Sequence, residues 1–105
     1  MATTDVPLSI DIHLGTDEVT LALCGDLDMA TVPLLLSEAE TVDQCRVMTL
    51  DLADLSFIDS AGIGYLVNLH GRLARDQRKL RLVHPTAHVR QVLDIIGVDG
   101  LFGLA

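Results

Sequence analysis

The chain has 105 residues, half of them hydrophobic but only 3% aromatic, with 15 acidic against 7 basic residues and a formal net charge of −8. That length supports one hydrophobic core and not two, so residues 1–105 read as a single domain whose function falls to one site or one surface. The composition is that of a folded protein, and its negative surface argues against direct binding to nucleic acid or to an anionic membrane.

Leu8, Ile10, Ile12 and Leu14 alternate with Ser9, Asp11 and His13, the period of a half-buried strand, and Gly15-Thr16-Asp17 supplies a turn. Val19, Leu21 and Leu23 alternate again, which predicts a hairpin. After Gly25-Asp26-Leu27-Asp28, Pro33 fits the first turn of a helix, with Leu34, Leu35, Leu36, Ala39 and Val42 supplying its apolar stripe and its end expected near Asp43. Arg46 to Leu52 is short and apolar enough for a central strand covered on both faces.

Ser56 to Gly64 then reads as a turn opening onto a helix in which Gly62, Leu66, Leu69 and Leu73 recur at helical spacing. Arg72, Arg75 and Arg78 fall toward its C-terminal end, the sign the macrodipole favours there, and read as a solvated face. Leu80, Leu82 and Val83 form another strand. Pro85-Thr86 opens a last helix carrying Val89, Val92, Leu93 and Ile96 on one face, with Gly97 as its stop. A strand-strand-helix-strand-helix-strand-helix order predicts an α/β domain: one mixed, mostly parallel sheet with an antiparallel N-terminal hairpin and helices packed on it.

No run approaches the roughly 18 apolar residues of a membrane-spanning helix, and the first five residues lack the basic-then-apolar order of a signal peptide, so a cytoplasmic location is expected. Cys24 and Cys45 form no CxxC pair and read as reduced, small core residues. His13, His70, His84 and His88 show no metal-binding spacing, and no metal or cofactor is expected. Gly62-Ile63-Gly64 lacks a third glycine at Val67 for a dinucleotide loop, and Ile58 stands where a GxSxG nucleophile would need glycine, so no enzymatic activity is expected.

Phe57-Ile58-Asp59-Ser60-Ala61-Gly62-Ile63-Gly64 resembles the phosphorylation loop of STAS domains, the family named for sulphate transporters and anti-sigma-factor antagonists. Gly25-Asp26-Leu27-Asp28 is similar to that family's Gly-Glu-Leu-Asp before its first helix, and Leu50-Asp51-Leu52 with Asp54-Leu55 to its central strand and following turn. Asp94-Ile95-Ile96-Gly97 with Leu101-Phe102 resembles its closing helix and tail. The resemblance implies an anti-sigma-factor antagonist with Ser60 as the phosphorylated residue. An anti-sigma factor with serine kinase activity would modify it and a metal-dependent serine phosphatase would reverse the change. The unphosphorylated form would bind the anti-sigma factor and release the sigma factor. Ala61 stands where the family often has a second hydroxyl, which leaves Ser60 the candidate in the loop, and since the sequence stops at Ala105, earlier than many relatives, the terminal helix found in some of them is expected to be absent.

Expected partner contacts are Asp26, Asp28, Asp59, Ser60, Ala61, Gly62 and Gly64. Asp59 can cap the helix while Ser60 stands where free N–H groups accommodate an anion, and Gly62 and Gly64 would keep the helix start open to a partner. The alternative reading is a STAS scaffold or a subunit sensing a small anion or nucleotide, with Ser60 unmodified.

Overall fold

The computed structural model describes residues 7–42 and 44–96. β1 (Leu8–Leu14) pairs antiparallel with β2 (Glu18–Leu27) in a register that sets Ile10 opposite Leu23 and Ile12 opposite Leu21. The Gly15 N–H closes the turn by donating to the Glu18 carbonyl at 2.7 Å. α1 (Val32–Thr41), with Pro33 in its first turn, leads to β3 (Val47–Ile58), parallel to β2. α2 (Ser60–Arg75) leads to β4 (Lys79–Val83), parallel to β3, and α3 (Ala87–Ile96) follows. The sheet order β1-β2-β3-β4 is the mixed α/β architecture expected from the sequence. Both crossovers step the same way across the sheet, so their right-handedness places α1 and α2 on one face.

That face holds the core. Val19, Met48 and Leu80 form one row across three strands, and Leu21, Leu50 and Leu82 the next, all buried. Leu35 and Ala39 of α1 and Leu66, Leu69 and Leu73 of α2 are buried with them. Each fully buried leucine contributes about 1.5–3 kcal/mol relative to exposure, enough to fix the register of both parallel ladders. No helix among the described residues is long and apolar enough to cross a membrane.

The strands outrun their sequence signals. Gly25-Asp26-Leu27, placed by the sequence between the second strand and the first helix, and Asp54-Leu55, read as a turn, lie inside β2 and β3, whose pairing continues to Leu27 opposite Ile58. Two register shifts, at Ala22/Cys24 and Gly25/Asp26, make this possible, because each bulge re-aims the strand without ending the ladder. Gly25 takes φ +121°, and a Cβ there would run into the Pro7 carbonyl, the same oxygen that accepts from the Asp26 N–H at 2.9 Å. Only glycine fits that position.

Cys24 is a second difference: it is exposed rather than buried, since Leu23 takes the inward place and the next residue faces the other way. Cys45 is half-buried, its carbonyl accepting from Arg78 Nε at 2.6 Å. Both thiols are free. α1 ends at Thr41, while Asp43, the Gly97 stop and the closing Leu101-Phe102 lie outside the described residues.

Tyr65, the single tyrosine, is buried on α2, and its hydroxyl has no hydrogen-bond partner among the described residues. Burial pushes its phenol up from 10.0 to about 12, with Arg72 pulling it down and Glu40 pushing it up by smaller amounts. The unfolded chain therefore holds fewer protons than the folded one between these values, and stability falls as pH rises through that window. In a phenolate absorbance titration the folded protein should ionise near 12, well after the urea-unfolded chain at about 10. Coincident curves would mean that the hydroxyl is in contact with water.

Candidate functional site

The C-terminal ends of β2 and β3 lie side by side, and the two loops leaving them form the site. Beyond Ile58, Asp59 adopts an extended conformation with φ −114° and ψ −174° and becomes the N-cap of α2. Its Oδ1 accepts from the Gly62 N–H at 3.0 Å, and its carbonyl accepts from the Ile63 N–H at 3.0 Å. The Asp59 N–H donates to the Leu27 carbonyl at 3.2 Å, which ties this loop to the β2–α1 turn.

Ser60 follows at the first helical position and is exposed. The first N–H groups of a helix have no intrahelical acceptor, and the positive end of the macrodipole sits there, so an anion on Ser60 meets donors and a favourable field. Ala61 is half-buried beside it. The expectation that Asp59 caps and Ser60 stands outward agrees with this geometry.

Gly62 differs from its expected reason. It is buried, and a Cβ there would come within 2.7 Å of the Leu27 carbonyl and 2.9 Å of Ile58 Cγ1. Its missing side chain lets α2 seat against β2 and β3 from inside, rather than opening the helix to a partner. Gly64 is exposed, with nothing within 4 Å of a Cβ, and does leave the outer helix face bare.

On the neighbouring turn, Asp28 Oδ1 accepts from the N–H groups of Ala30 at 2.9 Å and Thr31 at 3.1 Å. The buried Thr31 hydroxyl donates to the Asp26 carbonyl at 2.8 Å and accepts from the Asp28 N–H at 2.9 Å. Asp28 thus holds the turn into α1. Asp26 is half-exposed, and its side chain makes no hydrogen bond or ion pair among the described residues. The β2–β3 register, Asp26 opposite Phe57 and Leu27 opposite Ile58, brings the end of β2 and Asp28 beyond it toward Asp59 and gives the Ser60 surroundings an acidic character.

Three further residues, not singled out from the sequence, shape the site. Met29 projects from the turn, 78% exposed, and adds an apolar contact among the aspartates. Phe57 is 42% exposed and stacks on His88 of α3 with ring centroids 5.9 Å apart. Thr86 donates its hydroxyl to the Leu55 carbonyl at 3.1 Å and accepts from the Val89 N–H at 3.3 Å, anchoring the start of α3 near the same end of β3. A methionine inside a polar turn was the legible hint for Met29; the α3 contacts have no local sequence signal. His84 and His88 go to different partners, His84 Nδ1 lying 3.5 Å from Asp51 Oδ1.

A family model described as "Mlab, STAS domain" matches residues 10–104. The chain is 29% identical over 98 residues to the intermembrane phospholipid transport system binding protein MlaB of Haemophilus influenzae, covering 88% of this chain and 92% of that protein. It is 27% identical over 97 residues to the anti-sigma-B factor antagonist of Listeria monocytogenes, covering 90% and 85%. Among solved structures, an anti-sigma factor antagonist from Mycobacterium paratuberculosis superposes with a TM-score of 0.83 at 21% identity, over 99% of this chain and 89% of that one, and shows the shared fold.

The cap and the two glycines give separable expectations. Asp59→Ala should cost about 1 kcal/mol in urea unfolding, while Asp59→Asn, which can still cap, should cost less. Gly62→Ala should lose about 1–3 kcal/mol by overpacking against Leu27 and Ile58. Gly64→Ala should be neutral or stabilising by up to about 1 kcal/mol. Equal effects at the two glycines would contradict the inward packing of Gly62.

Proposed function

This chain belongs to the STAS domain family, and on that footing we propose that it is an anti-sigma-factor antagonist whose binding is gated by phosphorylation of Ser60. The unphosphorylated protein binds an anti-sigma factor that is also a serine kinase and so frees the sigma factor; a metal-dependent serine phosphatase restores that state. The supporting observation is the exposed Ser60 at the first position of α2, next to an aspartate already committed to the helix cap. A phosphate there touches neither the core rows nor the cap bond, so the fold survives modification.

The partner surface is built from Asp26, Asp28, Asp59, Ser60, Ala61 and Gly64, with Gly62 shaping it from beneath. Phosphorylation adds about −1.5 to −2 charge among the aspartates, which brings both repulsion and desolvation cost to a surface fitted against the hydroxyl. A tenfold loss of affinity requires only about 1.4 kcal/mol. The Listeria relative named as an anti-sigma-B factor antagonist supports this reading.

A second reading has its own support. The relative named MlaB is a binding protein of a phospholipid transport system, and the matching family model carries the same name. On that reading the same end of the sheet docks constitutively on another subunit and Ser60 is never modified.

Incubation with a cognate ATP-binding anti-sigma kinase and ATP, followed by mass spectrometry, separates the two. One phosphate on Ser60, absent from Ser60→Ala, is expected, and Ser60→Asp should weaken the complex at least tenfold with an unchanged circular dichroism spectrum. Labelling that persists in Ser60→Ala would remove the assignment. A complex indifferent to Ser60→Asp would favour the constitutive subunit.

A further inference from the structure

β1 ends the sheet. In the order β1-β2-β3-β4 its far side has no strand beside it among the described residues. Two bonds at the ends of the β1–β2 ladder fix which backbone groups are left over: the Gly15 N–H donates to the Glu18 carbonyl at 2.7 Å, and the Asp26 N–H donates to the Pro7 carbonyl at 2.9 Å. Both extend the register that pairs Ser9 with Cys24, Asp11 with Ala22 and His13 with Thr20. Bonded pairs alternate along an antiparallel ladder, so the odd-numbered residues from Pro7 to Gly15 turn their backbone groups toward β2. The N–H and C=O groups of Leu8, Ile10, Ile12 and Leu14 therefore point outward, along a strand of 7 residues that no proline or bulge interrupts.

The same four residues form the apolar row of the strand, and their cover is incomplete. Leu8 is buried and Ile10 and Ile12 are half-buried, but Leu14 is 76% exposed. Leu34 of α1, 45% exposed, borders Ile10 along this edge. On the other face Ser9, Asp11 and His13 are exposed, and neither Asp11 nor His13 forms an ion pair among the described residues. An uninterrupted edge with outward amides and an apolar flank is a template for a further strand.

We propose that a second copy of this chain pairs with this edge, β1 against β1 in antiparallel sense about a two-fold axis at Ile12. Opposed residues of antiparallel strands point to the same face, so the registers that keep the apolar rows together are those that pair even-numbered residues with even-numbered ones. Centring on Asp11 would set that carboxylate against its own copy, centring on His13 would oppose the two imidazoles, and centring on Ile10 would leave Leu14 uncovered. Centring on Ile12 sets Ile10 against the second copy's Leu14 and Asp11 against the second copy's His13, the latter pair twice by symmetry. Those pairs fall at the non-bonded positions, where opposed side chains approach most closely. An imidazole has an N–H to donate to the carboxylate in either protonation state. With the apolar rows on one side the axis is normal to the sheet, so the two Ser60 ends point in opposite directions and stay open; this proposal stands independently of phosphorylation. A strand-only contact over residues 10–14 belongs to the class burying less than about 1,200 Å², which associates weakly.

The test is sedimentation velocity from about 10 µM to about 1 mM protein, the range of weak association, at physiological salt, where a Debye length of about 8 Å screens the −8 carried by each copy. A concentration-dependent dimer is expected. His13→Asp should weaken it about tenfold, because carboxylates then oppose each other at both symmetric positions. Asp11→His should also weaken it, although it lowers the net negative charge. The exchange Asp11→His/His13→Asp restores both complementary pairs and should return the dissociation constant to within about twofold of the unaltered chain. Asp94→His, at an exposed position on α3, makes the same change in net charge away from the edge and should shift it less than about twofold. A monomer throughout, a dimer that His13→Asp leaves unchanged, a dimer in Asp11→His as strong as the original, or no recovery in the exchanged variant would each overturn the proposal.

Discussion

The bond from the Asp59 N–H to the Leu27 carbonyl closes the parallel ladder of β2 and β3 at its functional end, and the rest of the site depends on it. Parallel pairing carries both strands to the same edge of the sheet, so the loops that follow them become neighbours. The register then decides which residues meet. With Leu27 opposite Ile58, the aspartate-rich turn into α1 abuts the cap of α2; a slip by one residue would turn the buried leucines outward and is excluded by the core rows beneath. The ladder reaches this far because of two bulges, one of them built on a glycine whose positive φ no other residue would tolerate at that spacing from Pro7. A backbone irregularity next to Asp26 therefore sets where Ser60 stands.

A residue proposed for modification has to be reachable without being structural, and α2 divides these duties between adjacent residues. Asp59 takes the cap bond and the backbone link to β2, and Gly62 takes the close packing against Leu27 and Ile58. Ser60 is left with neither. Had Ser60 itself been the cap, its hydroxyl would be committed to a backbone amide, and adding phosphate would compete with about 1 kcal/mol of helix stability. Placing the cap one residue earlier leaves the hydroxyl outward, and the helix start that would receive a phosphate is already fixed in position.

The alternation of Leu8 to Leu14 and Val19 to Leu23, the helical spacing through Leu73, and the order of elements were enough to read the architecture, because burial on one face imposes those periods directly. What the sequence did not display are features set by partners distant along the chain. Gly25 and Asp26 look like a turn by composition, yet they continue a strand because β3 is there to pair with them. Gly62 looks like an opening for a ligand, yet the obstacle it avoids is Leu27, thirty-five residues earlier. Cys24 was read by residue type as a core thiol, although the alternation from Leu21 and Leu23 already pointed it outward. In each case a local preference gave way to a contact that only the assembled sheet supplies.

Charge follows the same helix from end to end, with aspartates around its start and arginines around its finish. The macrodipole accounts for part of that arrangement, since it favours Asp59 at the first turn and Arg72 and Arg75 in the last. It does not account for Arg46, Lys79 and Arg81, which lie on strands or their approaches and beyond the final turn, where the dipole's field has decayed. Nor does internal neutralisation, because these side chains form no ion pair among the described residues even though acids outnumber bases about two to one. Lys79 and Arg81 project from the sheet face opposite the one that α2 covers, and the Arg46 N–H donates to the Asp17 carbonyl at 2.8 Å, so these charges are spread around the end of the sheet rather than gathered on one surface. Charge at that end of the sheet is therefore mixed, and Arg72 and Arg75 in the last turn of α2 are the residues whose placement the helix's own field explains.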